Sequence, residues 1–200
     1  MEIDAKTVKD LRERTLAPIM DCKRALEEAQ GNFDKAIDLL REKGLKTSQK
    51  KATRSAKDGL VSAYIHTGGK IGVLVEVSCE TDFVARTEEF KELVKNLSMQ
   101  IAASNPLYLS REDVPLAAIE KEKDIYRNQS LREGKPEKIV DKIIAGKIEK
   151  FFSEVCLIEQ SYVREPEVTI KELLDSQIGK LGENIIIRRF CRYQLGETAE

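Results

Sequence analysis

The chain holds one histidine, His66, and four cysteines, Cys22, Cys79, Cys156 and Cys191. With the carboxylates Glu76 and Glu80, these are its best material for acid–base, nucleophilic or metal chemistry. A general base needs a substrate proton and an orienting partner within hydrogen-bond reach. His66 stands just before the segment Thr67-Gly68-Gly69-Lys70, with no nucleophile or orienting group identifiable beside it. Glu76 and Glu80 read as acids near a strand end, a common solvated placement. No two cysteines form a C-x-x-C pair, and with a single histidine a Cys/His zinc site lacks ligands. Gly68-Gly69 reads as a turn between strands rather than a strand-to-helix phosphate loop. Neither G-x-S-x-G nor H-E-x-x-H occurs. The expectation is therefore no enzyme, no metal and no cofactor, with the cysteines as structural or free thiols. A chain with so little reactive material is expected to act by binding.

The bulk numbers narrow the class of partner. A formal net charge of -1 supplies no global positive field for nucleic acid, so no direct nucleic-acid partner is expected. No apolar run is long enough to cross a bilayer, so no membrane partner is expected. The start Met1-Glu2-Ile3-Asp4 has neither a basic n-region nor an apolar h-region, which predicts a cytoplasmic protein. Two hundred residues suffice for one substantial core and a small satellite module.

The elements follow from periodicity. Residues 1–45 predict a module of three short helices: one after Asp4 with Val8 and Leu11 inward, one opening at Pro18 with Ile19, Cys22, Leu26 and Ala29 on a face, and one capped by Asn32 and stopped at Gly44. Residues 46–58 are polar and basic and predict a linker or solvated helix. The region 59–200 predicts an α+β core. Residues 60–66 and 71–78 form a hairpin around the glycine turn. A helix spans 82–104, with Phe83, Phe90, Val94, Leu97 and Ile101 at helical spacing, and Asn105-Pro106 ends it. Helices follow over 116–133, 136–145, 147–156 and from Thr169 to Gly179. A last strand over 184–195 joins the hairpin in a three-stranded antiparallel sheet packed with helices.

Four segments then carry a resemblance. Residues 8–26, VKDLRERTLAPIMDCKRAL, resemble the N-terminal ubiquitin-associated-like module of the elongation factor Ts family. Residues 71–86, IGVLVEVSCETDFVAR, contain Thr81-Asp82-Phe83-Val84, similar to that family's most characteristic motif. Glu133-Gly134-Lys135-Pro136 and the stretch 182–190, GENIIIRRF, agree as well. The chain departs from the family at Leu16-Ala17-Pro18, where Gly-Ala-Gly is common, which bears on the docking geometry of that loop. The expectation is one core subdomain rather than two, without the coiled-coil module of longer members.

The resemblance implies a guanine-nucleotide exchange factor that binds elongation factor Tu, both GDP-bound and nucleotide-free, and promotes GDP release. It implies a wedge at Thr81, Asp82, Phe83 and Val84, with Phe83 disturbing the partner's Mg²⁺ site. Docking through Met20, Asp21, Cys22 and Lys23 is implied, with His66 as a further contact. Short members of the family resemble homodimers, and Cys191 on the last strand offers an intersubunit disulfide. Spacing alone reads these residues differently: Phe83 as a core position, Asp82 as a helix cap, His66 as a turn histidine. The three-helix module by itself reads as a peptide- or ubiquitin-like adaptor.

Overall fold

The computed structural model describes residues 3–15 and 17–197. The chain opens with α1 (Ala5–Thr15), α2 (Ile19–Glu28) and α3 (Phe33–Lys51). Pro18 caps α2 from one position earlier than expected; its carbonyl accepts from the amides of Asp21 at 2.8 Å and Cys22 at 3.0 Å. The helix closes in a Schellman turn, with Gln30 N–H donating to the Glu27 carbonyl and Gly31 N–H to that of Leu26. The Asn32 side chain then caps α3, accepting from Lys35 N–H at 3.0 Å. Leu11, Cys22, Leu26 and Ala36 are fully buried at the centre of these helices.

The third helix does not stop at Gly44 as expected. It continues to Lys51 and takes up the first half of the basic segment. The reason is a close approach to α8 (Ile170–Leu181). A Cβ on Gly179 would lie 3.2 Å from the Cα of Gly44, so these two glycines let the backbones of α3 and α8 meet. One turn on, the Ser48 hydroxyl donates to the Asp175 carboxylate, and Lys51 reaches the Gly182 carbonyl beyond α8. A glycine inside a helix costs about 1 kcal/mol against alanine, and this helix–helix contact offsets it.

Next come β1 (Asp58–Ile65) and β2 (Ile71–Cys79), joined by the expected turn, in which His66 N–H donates to the Ile71 carbonyl at 2.9 Å. The last strand, β5 (Ile186–Gln194), lies on the other side of β2, giving the order β1-β2-β5. Leu195 N–H donates to the Lys70 carbonyl, so the end of β5 meets the start of β2 and the sheet is antiparallel, packed with helices as expected. Gly59 has φ 142°, and a Cβ there would stand 2.1 Å from the Val77 carbonyl oxygen; only glycine fits.

Two compact units result. One gathers Met1–Leu60, Val77–Lys91 and Glu172–Ile186; the other gathers Val61–Glu76, Glu92–Lys171 and Ile187–Glu200. The second unit contains α6 (Leu116–Arg132) and α7 (Glu137–Val155). α7 buries Val140, Ile144, Ile148 and Phe152, with Tyr126 of α6 against them. It runs unbroken through Gly146, where two helices were expected, because the buried stripe continues on both sides. The unit also contains an unanticipated hairpin, β3 (Ser161–Tyr162) with β4 (Glu165–Thr169). Its anchor is the buried Gln100, which donates to Gln160 and to the Ser161 carbonyl and accepts from Val163 N–H at 2.8 Å. The cysteines are free thiols, buried except for the half-buried Cys191. Among the described residues no helix is long and apolar enough to cross a membrane.

The two kinds of glycine predict opposite responses. Gly146→Ala, on an exposed helix face with nothing near its Cβ, stabilises by about 0.5–1 kcal/mol. Gly59→Ala costs upward of about 2 kcal/mol, from strain and overpacking together. Urea unfolding of the two variants beside the parent chain reads both signs.

Candidate partner-binding site

β2 ends at Cys79, and the chain then bends through Glu80 and Thr81 into the single turn α4 (Asp82–Ala85). Thr81 is extended and caps that turn, its hydroxyl accepting from Val84 N–H at 3.4 Å. Asp82, expected as the cap, sits one residue further on and pairs with Arg86 at 2.9 Å. Asp82 belongs to the first turn, where a carboxylate complements the helix dipole. Ala85 is buried. Two residues earlier on a helix lies about 200° round, so Phe83 points the opposite way.

Phe83 is accordingly 81% exposed. The core position that its spacing suggested is therefore corrected. The spacing argument assumed one helix over 82–104, but the chain breaks at Arg86 and Thr87, and α5 (Glu88–Ser104) begins afresh. Thr87 makes the break. Its hydroxyl donates to the Val84 carbonyl at 2.8 Å and accepts from Phe90 N–H at 3.2 Å. Phe90, on the new helix, is fully buried, while Phe83 stays outside. Thr87 followed by Glu88-Glu89 is a helix-start pattern that could have located the break.

The turn is held from a distant part of the chain. One oxygen of Glu183 accepts from the backbone N–H groups of Glu80 and Thr81, each at 3.0 Å. Its other oxygen accepts from the Thr81 hydroxyl at 2.6 Å. In return, the Glu80 side chain accepts from Asn184 N–H at 2.7 Å and pairs with Arg54 at 3.6 Å. Asn184 in turn donates its side-chain amide to the carbonyls of Ala52 and Arg54, just past α3. On the inner side, the Cys79 thiol donates to the Thr81 carbonyl at 3.2 Å. Burial, with Glu183 nearby, pushes that thiol up to about 11, so it stays a protonated donor at neutral pH. Cys79 was expected only as a structural or free thiol, and Glu183 and Asn184 only as part of the matching stretch 182–190; the partners of Glu183 and Asn184 lie across the fold, where no local pattern reaches.

The N-terminal candidates sit at the start of α2. Met20 is 55% exposed, and Ile19 beside it is 54% exposed. Asp21 accepts from Lys43 of α3, and Lys23 pairs loosely with Glu27 at 3.9 Å. Cys22 differs: it is fully buried and its thiol donates to the Ala17 carbonyl at 3.5 Å, so it shapes the turn from within. Ala17 and Pro18 form that turn, and Leu16 lies outside the described residues. The wedge and the N-terminal candidates fall in one compact unit. His66 falls in the other, exposed at the hairpin turn, with Tyr64 hydroxyl 2.9 Å from its Nδ1. Among the described residues no cluster of His, Cys, Asp or Glu could hold a metal ion.

Exposure separates two phenylalanines that spacing had placed on one stripe. Phe83→Ala leaves stability within about 0.5 kcal/mol of the parent. Phe90→Ala costs about 3–5 kcal/mol. Thermal and urea denaturation of the pair checks the contrast.

Comparisons with known proteins agree over almost the whole chain. The family model described as Elongation factor TS matches residues 3–197. The chain is 63% identical over 198 residues to Elongation factor Ts of Thermoanaerobacter sp. (strain X514), covering 99% of this chain and 97% of the relative. It is 62% identical to that of Caldanaerobacter subterraneus subsp. tengcongensis, covering 99% of each. The Thermodesulfovibrio yellowstonii protein of the same name is 55% identical, with both chains covered completely. The chain belongs to the elongation factor Ts family.

Proposed function

We propose that this chain is a guanine-nucleotide exchange factor of translation elongation. It binds elongation factor Tu in the cytoplasm and promotes release of GDP. The observation that carries the reading is Phe83, a large aromatic side chain held out in solvent at the tip of a fixed turn. Exposure of such a side chain has no folding benefit, whereas a partner that covers it gains its burial. The factor performs no covalent chemistry and needs no cofactor of its own; the Mg²⁺ it displaces belongs to the partner. Neither nucleic acid nor membrane takes part.

Exchange requires tighter binding to the nucleotide-free partner than to the nucleotide-bound one, and linkage makes the effect reciprocal. A change of about 10⁴-fold needs roughly 5.5 kcal/mol of differential binding. Burying one phenylalanine contributes only about 1.5–3 kcal/mol. Thr81, Asp82, Phe83 and Val84 therefore act together with a second contact. That contact is the N-terminal module of residues 1–45, through Met20, Asp21 and Lys23, with Cys22 holding the turn beneath them. The basic segment 46–58 joins the module to the exchange core of residues 59–200. His66 adds a contact from the other unit.

Labelled GDP release from elongation factor Tu tests this. The chain accelerates release, and Phe83→Ala and Met20→Ala each slow it at least about fivefold. An adaptor that works through its N-terminal module alone loses binding with Met20→Ala and is indifferent to Phe83→Ala. Unaccelerated release with the intact chain would sink the exchange reading.

The chain is further proposed to work as a homodimer. Val61 and Ile65 of β1, Leu74 of β2 and Tyr193 of β5 are large apolar or aromatic side chains left exposed on the strands, which favours pairing with a second copy. Sedimentation with and without reductant gives a dimer in both if apolar burial holds it, and a dimer only without reductant if a Cys191 disulfide does. A monomer in both conditions rules out self-association.

A further inference from the structure

We propose that Glu183 is the positioning residue of the exchange turn: its carboxylate fixes the backbone of Glu80 and Thr81 so that Phe83 is presented in one orientation. The inference rests on the exchange-factor reading and adds a residue and a device to it.

α4 is one turn of four residues, too short to hold itself in water. Thr81 caps it through a single 3.4 Å bond. What fixes Thr81 is Glu183, which takes two adjacent backbone N–H groups on one oxygen and the Thr81 hydroxyl on the other. A carboxylate is the one common side chain that accepts at all these sites without needing a donor back. Charge-assisted bonds of this kind are about twice as strong as neutral ones. The neighbouring pair closes the knot in the opposite sense, Asn184 N–H donating to Glu80 and the Asn184 amide holding the carbonyls of Ala52 and Arg54. All these residues lie in one compact unit with the N-terminal module. The knot therefore ties the turn that carries Phe83 to the chain leaving α3.

The donors at Thr81 are solvent-exposed, so water replaces Glu183 when it is removed. The fold then loses little, while the turn loses its single conformation. Ordering it again falls on the binding step, which weakens the interaction without removing any contact to the partner. Phe83 is the residue through which this loss is felt.

The test uses the full chain with elongation factor Tu carrying labelled GDP, in four forms: Glu183→Ala, Glu183→Gln, Phe83→Ala and the Glu183→Ala/Phe83→Ala double variant. Glu183→Ala slows release about threefold, less than Phe83→Ala does, and Glu183→Gln, which keeps one accepting oxygen, falls between it and the parent. The double variant is no slower than Phe83→Ala alone, because without the wedge there is nothing to position. In the free protein, amide hydrogen exchange at Thr81 and Val84 speeds up in Glu183→Ala while the melting transition is nearly retained. Parental release rates in Glu183→Ala, multiplying losses in the double variant, or unchanged amide protection each overturn the proposal. If Glu183→Ala does not fold, Glu183→Gln carries the same comparison. An intact chain that fails to release GDP overturns the exchange reading and this role together. A working intact chain beside an unimpaired Glu183 variant overturns this role alone.

Discussion

The carboxylate of Glu183 on the backbone of Glu80 and Thr81 is the contact on which the site depends. A strand ends there, a one-turn helix begins, and neither has local means to fix the join. Helix nucleation costs more than four residues return. The bonds come instead from the end of α8, after Gly182 closes that helix through the Ile178 carbonyl. The geometry of residues near position 80 is thus set by residues near position 183. The same stretch reaches the end of α3 through Asn184. One short knot of polar groups organises three pieces of chain that have no sequence proximity.

A fixed turn is what makes an exposed aromatic useful. A phenylalanine on a mobile loop would be ordered only at the partner's expense, and its burial would be partly cancelled. Phe83 stands on a turn whose other face is locked by the buried Ala85 and by the Cys79 thiol beneath Thr81. The start of α2 follows the same logic, with Ile19 and Met20 exposed above the buried Cys22. In each place a small buried residue secures the backbone and a large apolar residue beside it faces solvent. Under the proposed exchange function, differential binding of several kcal/mol would draw on two such places rather than one.

Much of the fold was legible because it is written in local chemistry. Asn32 capping α3, the glycine turn after His66, and alternate valines of β2 are all short-range signals. The misreadings have two causes, one tertiary and one local. At Gly44 and Gly146 a helix-breaking residue suggested an end, yet α3 and α7 continue because tertiary packing offsets the local cost. At Phe83 the helical period was read across a boundary, and the Thr87 cap that marks the boundary was overlooked. The hairpin β3–β4 had no alternating pattern to reveal it; its hydrogen bonds are organised by Gln100, some sixty residues earlier.

By itself the sequence determined the α+β class, the three N-terminal helices, the strand that joins the hairpin, and through four matching segments the family. Those follow from propensity, periodicity and residue identity, which are properties of neighbours along the chain. Only the tertiary structure decided that Glu183 holds Thr81, and that Ile19, expected on one inward face with Cys22, stands exposed. The Glu183 contact depends on groups about a hundred residues apart meeting at hydrogen-bond distance, and no local preference carries that information.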